Sequence, residues 1–300
     1  MKNEPGSILR GHVALVAVQF VFGLFPLFIH WAAEDFTPRA IVFWRILAGA
    51  TVFGLLAARE GRAALPRRAD LGRLFVCSVL AVTVNQMLAT EGIARTTSTN
   101  AGLIMPLIPV FTYGLAAAVR QEAFRAHRAL GIAIAMAGVL VLVLDRSGPA
   151  DLSQRHMSGN MMVVGNCLAY AAFLVLARPL LMRYSPAVLL AWVYVFALWS
   201  LPVIGWGQDL MPEDPGRLAL IGVGYAVLFG SILGHFLNAY ALARVSASTT
   251  AIYVYLQPLI AGAAGVALLD EELSGLVFVA AALLFVGIGL VNRRPAVIGS

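Results

Sequence analysis

The chain has 300 residues, of which 60% are hydrophobic and 12% are charged, and it carries a formal net charge of +6. Soluble domains average about 45–50% apolar and about 25% charged residues. A surface with so little charge is unsuited to water, so the composition excludes an ordinary soluble protein and indicates a lipid-embedded one. The basic residues occupy short segments between apolar runs and form no basic face, which argues against a nucleic-acid partner.

Ten apolar runs are long enough to cross a membrane. A helix rises about 1.5 Å per residue, so crossing about 30 Å of hydrocarbon takes about 20 residues. In chain order, the predicted spans are 12–33, 39–58, 71–90, 96–119, 127–144, 158–181, 186–206, 218–238, 245–268 and 273–291. The sequence therefore predicts an all-α membrane protein of ten transmembrane helices. Spans eight and nine are the least separated, because only Ala243 and Arg244 mark a turn between them.

Basic residues are unevenly divided between the two sides of this arrangement. With the N-terminus inside, the inner segments hold fifteen Lys or Arg residues and the outer segments hold five, and Arg45 is the only one clearly within a span. Acidic residues favour the outer side, as at Asp209, Glu213 and Asp214. Because cytoplasmic segments are enriched in Lys and Arg, we expect a multi-pass protein of the bacterial inner (plasma) membrane with both termini in the cytoplasm.

The second half of the chain repeats features of the first. A shift of 149 residues pairs Ala94 with Ala243, Arg95 with Arg244, Pro109 with Pro258, Glu122 with Glu271 and Gly138 with Gly287, and a shift of 148 pairs Pro38 with Pro186 and Trp44 with Trp192. Each half holds five spans, an odd number, so the second half enters from the opposite side, with Glu122 cytoplasmic and Glu271 external. We therefore predict two inverted repeats, 1–150 and 151–300, around a central cavity, as in many secondary transporters.

Several motifs resemble a known family. The second half contains ALARVSASTTA at 241–251 and YLQPL at 255–259, followed by Glu271 or Glu272, and the first half contains TSTNAG at 97–102 and FWR at 43–45. These stretches resemble the EamA-type domain of the drug/metabolite transporter superfamily, once in each half. The resemblance implies a basket-like bundle of ten helices whose cavity is lined mainly by helices 1, 3, 4, 6, 8 and 9. It also implies export of amino acids or other small metabolites, and the YddG-type aromatic amino-acid exporters are the expected subtype.

Uncharged polar side chains recur at helical spacing on those cavity helices. Asn166 and Tyr170 are four residues apart, and His235 and Asn238 are three apart, so each pair shares a helix face. The predicted substrate-binding residues are Gln19, Asn85, Gln86, Asn166, Tyr170, His235, Asn238, Tyr253 and Gln257. Amides and phenols of this kind suit a zwitterionic or aromatic ligand, and the alternative is that they only form hydrogen bonds between helices.

Three further residues are predicted to act in gating. Arg45 lies within span two, where it serves either as an anchor paired with an outer acid such as Glu34 or Glu91, or directly in substrate binding or gating. Pro109 and Pro258 are expected in mid-helix, where proline removes a backbone hydrogen bond. They are interpreted as matched hinges, one in each half, with passive kinks as the alternative.

The sequence predicts a transporter and no enzyme. It contains no nucleophile, metal-ligand or cofactor motif, so we expect no cofactor and no bound metal. Because no Asp or Glu lies in mid-span, the prediction is a facilitator or exchanger that exports metabolites, most of all amino acids, by alternating access. The alternative is a proton-coupled multidrug or cation efflux carrier. The expected partners are a small-molecule substrate and membrane lipid, and the protein is expected to be a monomer or a homodimer.

Overall fold

A computed structural model describes residues 5–96, 98–147, 154–260, 263 and 275–293, and this part of the chain contains helices and no strands. The helices are α1 (Pro5–Ala32), α2 (Pro38–Ala58), α3 (Arg68–Ile93), α4a (Ser98–Ile104), α4b (Leu107–Ala118), α5 (Ala126–Ser147), α6 (Gln154–Leu180), α7 (Pro186–Gly205), α8 (Arg217–Leu242), α9 (Ala247–Ile252) and α10 (Leu276–Asn292). The chain leaves α9 through a 3₁₀ turn, Tyr253–Leu256.

Six of these helices, α1, α2, α3, α6, α7 and α8, are long and apolar enough to cross a membrane. Shorter apolar helices cover Leu107–Ala118, Ala126–Val141 and Phe278–Asn292. Large apolar side chains such as Phe278 and Trp206 are strongly exposed, as expected where a helix faces lipid or its interface. The all-helical, multi-pass prediction is therefore confirmed, whereas the count of ten spans stays a prediction. Glu271 and most of the segment between α9 and α10 lie outside the described residues.

The paired prolines Pro38 and Pro186 begin equivalent helices with the same local structure. Each occupies the first position of its helix, where a missing N–H costs nothing. The preceding residue caps the helix in both cases, because the Thr37 hydroxyl accepts a hydrogen bond from the amide of Ala40 and the Ser185 hydroxyl accepts one from Val188. The second helix of each half therefore starts from a matching sequence signal.

The fourth span is interrupted near its prolines. Helix α4a ends at Ile104, and α4b begins at Leu107 after a turn at Met105 and Pro106. The expectation that Pro109 lies in mid-helix is therefore wrong, since Pro109 lies in the first turn of α4b, where proline is tolerated. Pro258 likewise follows closely after the 3₁₀ turn at the end of α9. Each half thus has its irregular backbone just before the matched proline.

The two interruptions meet inside the protein. The buried hydroxyl of Tyr255 donates a hydrogen bond of 2.7 Å to the carbonyl oxygen of Pro106, the residue that caps α4b. Pro106 and Tyr255 are themselves related by the repeat shift of 149 residues. Contact between equivalent positions is expected close to an axis that relates two halves.

Helices α5 and α10 pack together in a reciprocal, antiparallel way. A β-carbon on Gly131 would lie 2.8 Å from the carbonyl oxygen of Gly287, and one on Gly138 would lie 2.8 Å from that of Ala280. The repeat shift relates Gly131 to Ala280 and Gly138 to Gly287. The Gly131–Gly287 and Gly138–Ala280 contacts are therefore equivalent and are related by a two-fold axis. Equivalent helices that run antiparallel are the arrangement that inverted repeats require. The boundaries 1–150 and 151–300 stay a prediction.

A polar network ties the start of α3 to the connection between α6 and α7. Asp70 is buried, and its carboxylate accepts hydrogen bonds of 2.6 Å from Arg183 and 2.7 Å from the hydroxyl of Tyr184. The same hydroxyl accepts a bond from the amide of Arg67. These contacts fix the two helical pairs α2–α3 and α6–α7 to each other at one end of the bundle.

Candidate functional site

A small polar cavity lies in the interior between α3, α6, α7 and α8. Its polar lining consists of Tyr170, Tyr194, His235 and Asn238, and apolar side chains including Phe173 complete the wall. Its volume of about 10 Å³ is room for about one water molecule. An amino-acid-sized ligand needs far more space, so the structure represents a conformation that is closed at its centre.

The polar groups of the central cavity are hydrogen-bonded in pairs. The Asn238 amide donates to the hydroxyl of Tyr170, which joins α8 to α6. The hydroxyl of Tyr194 lies 2.5 Å from Nδ1 of His235, which joins α7 to α8, and the His235 tautomer decides which group donates. These uncharged donors and acceptors can exchange their partners for those of a ligand when the helices separate.

Arg45 lies directly behind this cavity and is 7% exposed. Its Nε donates a hydrogen bond of 2.8 Å to the hydroxyl of Ser231, and its guanidinium stacks 4.9 Å from the ring centroid of Phe25. The hydroxyl of Tyr194 lies 3.5 Å from the Ser231 carbonyl oxygen, so Ser231 connects the arginine to the cavity wall. Arg45 is therefore a buried cation held by neutral groups.

No carboxylate pairs with Arg45 within the described parts of the chain. Glu91 instead binds Arg39 at 3.4 Å and Arg95 at 2.9 Å. The predicted pairing of Arg45 with an outer acid such as Glu34 or Glu91 is therefore wrong, because Arg45 points to α8 and α1 rather than to the surface. A buried charge without a counter-ion is costly, and an anionic ligand would stabilise it.

The cavity helices α3 and α8 share an unusual backbone feature. A π-helical stretch covers Val79–Val84 in α3 and Ala226–Leu233 in α8, at positions that the repeat shift makes equivalent. Such stretches are rare and frequently mark functional sites. The one in α3 ends just before Gln86, and the one in α8 ends just before its equivalent, His235. Gln86 is buried beside Tyr194, yet its side-chain amide makes no hydrogen bond of normal geometry with described residues.

The other predicted binding residues join helices away from the central cavity. Asn166 donates a bond of 2.8 Å to the backbone carbonyl of Asn85, which fixes α6 to α3. Gln257 donates a bond of 2.8 Å to the side-chain oxygen of Gln19, and this pair fixes the helical turn after α9 to α1. At the same interface, the Tyr253 hydroxyl and the His12 ring nitrogen form a hydrogen bond of 2.8 Å. The structure thus brings Tyr170, His235 and Asn238 together, places Gln86 beside Tyr194, and puts the other candidates at two helix–helix interfaces, α3–α6 and α1 with the turn after α9.

Two residues of the site were not predicted from the sequence: Tyr194, which lines the cavity, and Ser231, which binds Arg45 behind it. Tyr194 belongs to α7, a helix that the family resemblance does not assign to the cavity. Its signal is a hydroxyl in the middle of the apolar run of α7, where a buried polar group needs a partner. Ser231 carried a weaker signal, because serine commonly bonds to its own helix backbone.

The two ends of the protein differ in openness. At the end where α4a and α6 begin, the hydroxyl of Thr96 donates to the side-chain oxygen of Asn160 at 2.5 Å, and the Asn100 amide donates to the same oxygen at 3.1 Å. We call this cluster the closed seam. At the opposite end, where α1 and α9 begin, a second cavity of about 400 Å³ opens between the helices.

Long apolar helices, the antiparallel pair of equivalent helices α5 and α10, and a closed polar cavity at the centre are features of a multi-pass membrane transporter. The chain belongs to the EamA-like transporter family, whose model matches residues 9–144 and 157–293, once in each half. The resemblance seen in the sequence motifs is therefore confirmed.

Several known proteins are similar to this chain at low sequence identity. An uncharacterized transporter of Archaeoglobus fulgidus is 25% identical over 95% of this chain and 100% of its own length. The uncharacterized inner membrane transporter YedA of Escherichia coli is 25% identical over 95% and 93%. A probable terminal-alkyne amino-acid exporter of Streptantibioticus cattleyicolor is 27% identical over 76% and 75%. A solved protein crystal structure superposes with a TM-score of 0.79 at 15% identity, covering 97% of both chains, and it shows the fold alone.

Proposed function

We propose that this transporter exports small metabolites that carry a carboxylate, most of all amino acids including aromatic ones, by alternating access. The observation that carries the proposal is the central cavity, where uncharged hydrogen-bonding groups are backed by the buried cation Arg45. The relative named as a probable amino-acid exporter agrees with this substrate class.

The charge of the cavity favours this substrate over a cationic drug. Two unit charges 4 Å apart interact by about 4 kcal/mol at an effective dielectric constant of 20. An approaching cation would be repelled by Arg45, whereas a carboxylate would be attracted, and both effects weaken as the distance from Arg45 increases. Ser231 and Tyr194 provide a polar path between the arginine and the cavity. The alternative of a cation efflux carrier is therefore disfavoured by the electrostatics of this site.

The proposal also includes the placement in the membrane. The protein lies in the bacterial inner membrane as ten helices in two inverted halves, with both termini in the cytoplasm. The antiparallel packing of α5 and α10 supports the inverted halves, and the distribution of basic residues supports the orientation. The relative YedA, an inner membrane transporter by name, supports the location.

We further propose that transport runs down the substrate gradient as facilitation or exchange. Among the described residues, no Asp or Glu lines the central cavity, and His235 is its only imidazole. Proton-coupled carriers usually place carboxylates or histidines along the pathway to carry the proton. The absence of carboxylates from the described lining therefore supports a facilitator, and His235 is the one candidate for proton coupling there. Counterflow in liposomes with and without a pH gradient tests this point, since strict dependence on the gradient would rule out a facilitator.

The substrate class is tested by counterflow with the purified protein in liposomes. The panel contains amino acids, cationic dyes and nucleosides, and we expect exchange of L-phenylalanine and no exchange of dyes. Arg45→Gln should raise the half-saturating concentration of L-phenylalanine by about tenfold or more, because it removes one charge-assisted interaction. Arg59→Gln alters an exposed arginine and should leave it unchanged. Exchange of dyes without amino acids would contradict the proposal.

A further inference from the structure

The second cavity is large enough for a small metabolite, unlike the central one. Its volume of about 400 Å³ falls within the range of about 300–1,000 Å³ that is typical of ligand pockets. It lies between the first turns of α1, α5 and α9 and the last turn of α10, and it is open to one face of the protein. We call it the vestibule.

Two arginines of the vestibule each have one guanidinium nitrogen bonded within the protein and another, Nε, without an acceptor among the described residues. Nη1 of Arg128 bonds to Glu122 at 2.6 Å, and Nη1 of Arg244 bonds to the carbonyl oxygen of Tyr240 at 2.7 Å. The Nε atoms of both arginines are shielded from solvent and have no acceptor within the described residues. Both arginines line the vestibule, and guanidinium groups form strong, charge-assisted hydrogen bonds with carboxylates.

The remaining lining matches an amphipathic ligand. Apolar contact is offered by Ile8, Leu9, Val245 and Val291, and polar contact by His12, Ser246, Thr249 and Asn292. No acidic side chain is part of the lining in the portion of the chain that the structure describes. Glu122 lies nearby, but its carboxylate oxygens are engaged by Arg128 and by Ser248. The vestibule is therefore positively charged with an apolar wall.

The repeat relates the vestibule to the closed seam at the other end. The shift of 148 residues turns Gly11 into Gly159, and these glycines pack against Arg244 and Arg95 respectively. The same shift turns His12 into Asn160, and the shift of 149 turns Thr249 into Asn100. The residues that close one end by hydrogen bonding thus have equivalents that line an open cavity at the other.

We propose that the vestibule is a binding site for small carboxylates, at which the transported molecule binds before it reaches the central cavity. Arg244 and Arg128 bind the carboxylate, and the apolar wall holds the rest of the molecule. This inference rests on the proposed function, since it assigns the transported carboxylate a first site at the open end.

The test measures protection of a cysteine placed in the vestibule. Leu9→Cys introduces a thiol on the exposed vestibule wall, and the native Cys77 and Cys167 are buried. Labelling of the purified full-length protein in phosphatidylcholine liposomes with a maleimide should be slowed by benzoate and by L-phenylalanine. Phenethylamine and benzyl alcohol lack the carboxylate and should not slow it. Leu65→Cys, at an exposed position remote from the vestibule, should be labelled at the same rate with every ligand.

A second substitution links protection to the arginine. In the Leu9→Cys background, Arg244→Gln should raise the benzoate concentration needed for half protection by about tenfold or more. Arg128→Gln should raise this concentration as well. If the Arg128→Gln variant fails to fold because it has lost the contact with Glu122, the Arg244→Gln variant alone decides the test.

Three results would overturn the inference. These are equal protection by phenethylamine, unchanged protection after Arg244→Gln, and protection by phosphatidylglycerol alone, which would assign the vestibule to a lipid headgroup. If the protein fails to transport amino acids but benzoate still protects Leu9→Cys, the proposed function fails while the binding site stands.

Discussion

Replacing Gly49 by alanine should disturb the packing that positions Tyr194 in the central cavity. A β-carbon at this position would lie 2.3 Å from Cε1 and 2.4 Å from Cδ1 of the Tyr194 ring. Ordinary contacts between carbon atoms are about 3.5–4.0 Å, so the overlap is more than about 1 Å. The ring is fully buried and packs against Phe53 and His235 at centroid distances of 5.5 and 5.8 Å, which leaves it little room to move.

The magnitude follows from two opposing terms. Overpacking of a core costs about 1–3 kcal/mol, and an overlap of this size against a confined ring belongs at the upper end. Replacing glycine by alanine within a helix raises the free energy of unfolding by about 1 kcal/mol through helix propensity. Gly54→Ala in the same helix measures that term alone, because nothing lies within 4 Å of its β-carbon. We expect Gly49→Ala to have a free energy of unfolding about 3 kcal/mol lower than Gly54→Ala.

The assay is reversible unfolding of both variants in mixed detergent micelles, followed by circular dichroism, together with counterflow of L-phenylalanine. Gly49→Ala should lose counterflow because the Tyr194–His235 contact is displaced, and Gly54→Ala should keep it. Equal unfolding free energies for the two variants would refute the packing of α2 against α7 described here.

Three further predictions concern the α5–α10 interface, the Asp70 hydrogen-bond network and the two matched prolines. Gly287→Ala should lower the unfolding free energy by about 1–3 kcal/mol relative to Gly289→Ala, because only the first β-carbon meets the backbone of α5; equal values would contradict the α5–α10 packing. Asp70→Asn should lower the free energy of unfolding by about 1–2 kcal/mol in the same assay, because it weakens two short hydrogen bonds to a buried carboxylate. An unchanged free energy of unfolding would show that these hydrogen bonds do not stabilise the fold. Pro109→Ala and Pro258→Ala should each slow counterflow more than they weaken substrate binding, and unchanged turnover in both would refute the hinges.

The architecture could be predicted because bilayer constraints are strong and local. Hydrocarbon thickness fixes helix length and hydrophobicity, so the long apolar helices follow from composition alone. The repeat shift was readable because equivalent positions keep the same chemistry, as Pro38 and Pro186 do at two helix starts. The interruption in span four lies at Met105 and Pro106 rather than at Pro109, because hydrophobicity and proline positions do not show where the backbone leaves the helix.

The site was only partly predictable because helical spacing identifies a shared face but not what that face contacts. Tyr170 and Asn238 belong to different helices, and their hydrogen bond depends on how α6 and α8 pack. Gln19 and Gln257 have the same polar character and bind each other in a seam. Arg45 was recognised as unusual, yet its partner Ser231 lies 186 residues away along the chain, and spacing carries no information about such contacts.

Alternating access is tested most directly by locking the closed seam. The Thr96 hydroxyl lies 2.5 Å from the Asn160 side-chain oxygen, so Thr96→Cys with Asn160→Cys places two thiols at facing positions of the closed seam, and the cross-linked fraction is measured before transport. If release requires this end to open, the oxidised double variant should lose L-phenylalanine counterflow and regain it when the disulfide is reduced, while each single variant stays active throughout. Undiminished counterflow in a fully cross-linked double variant would contradict the account.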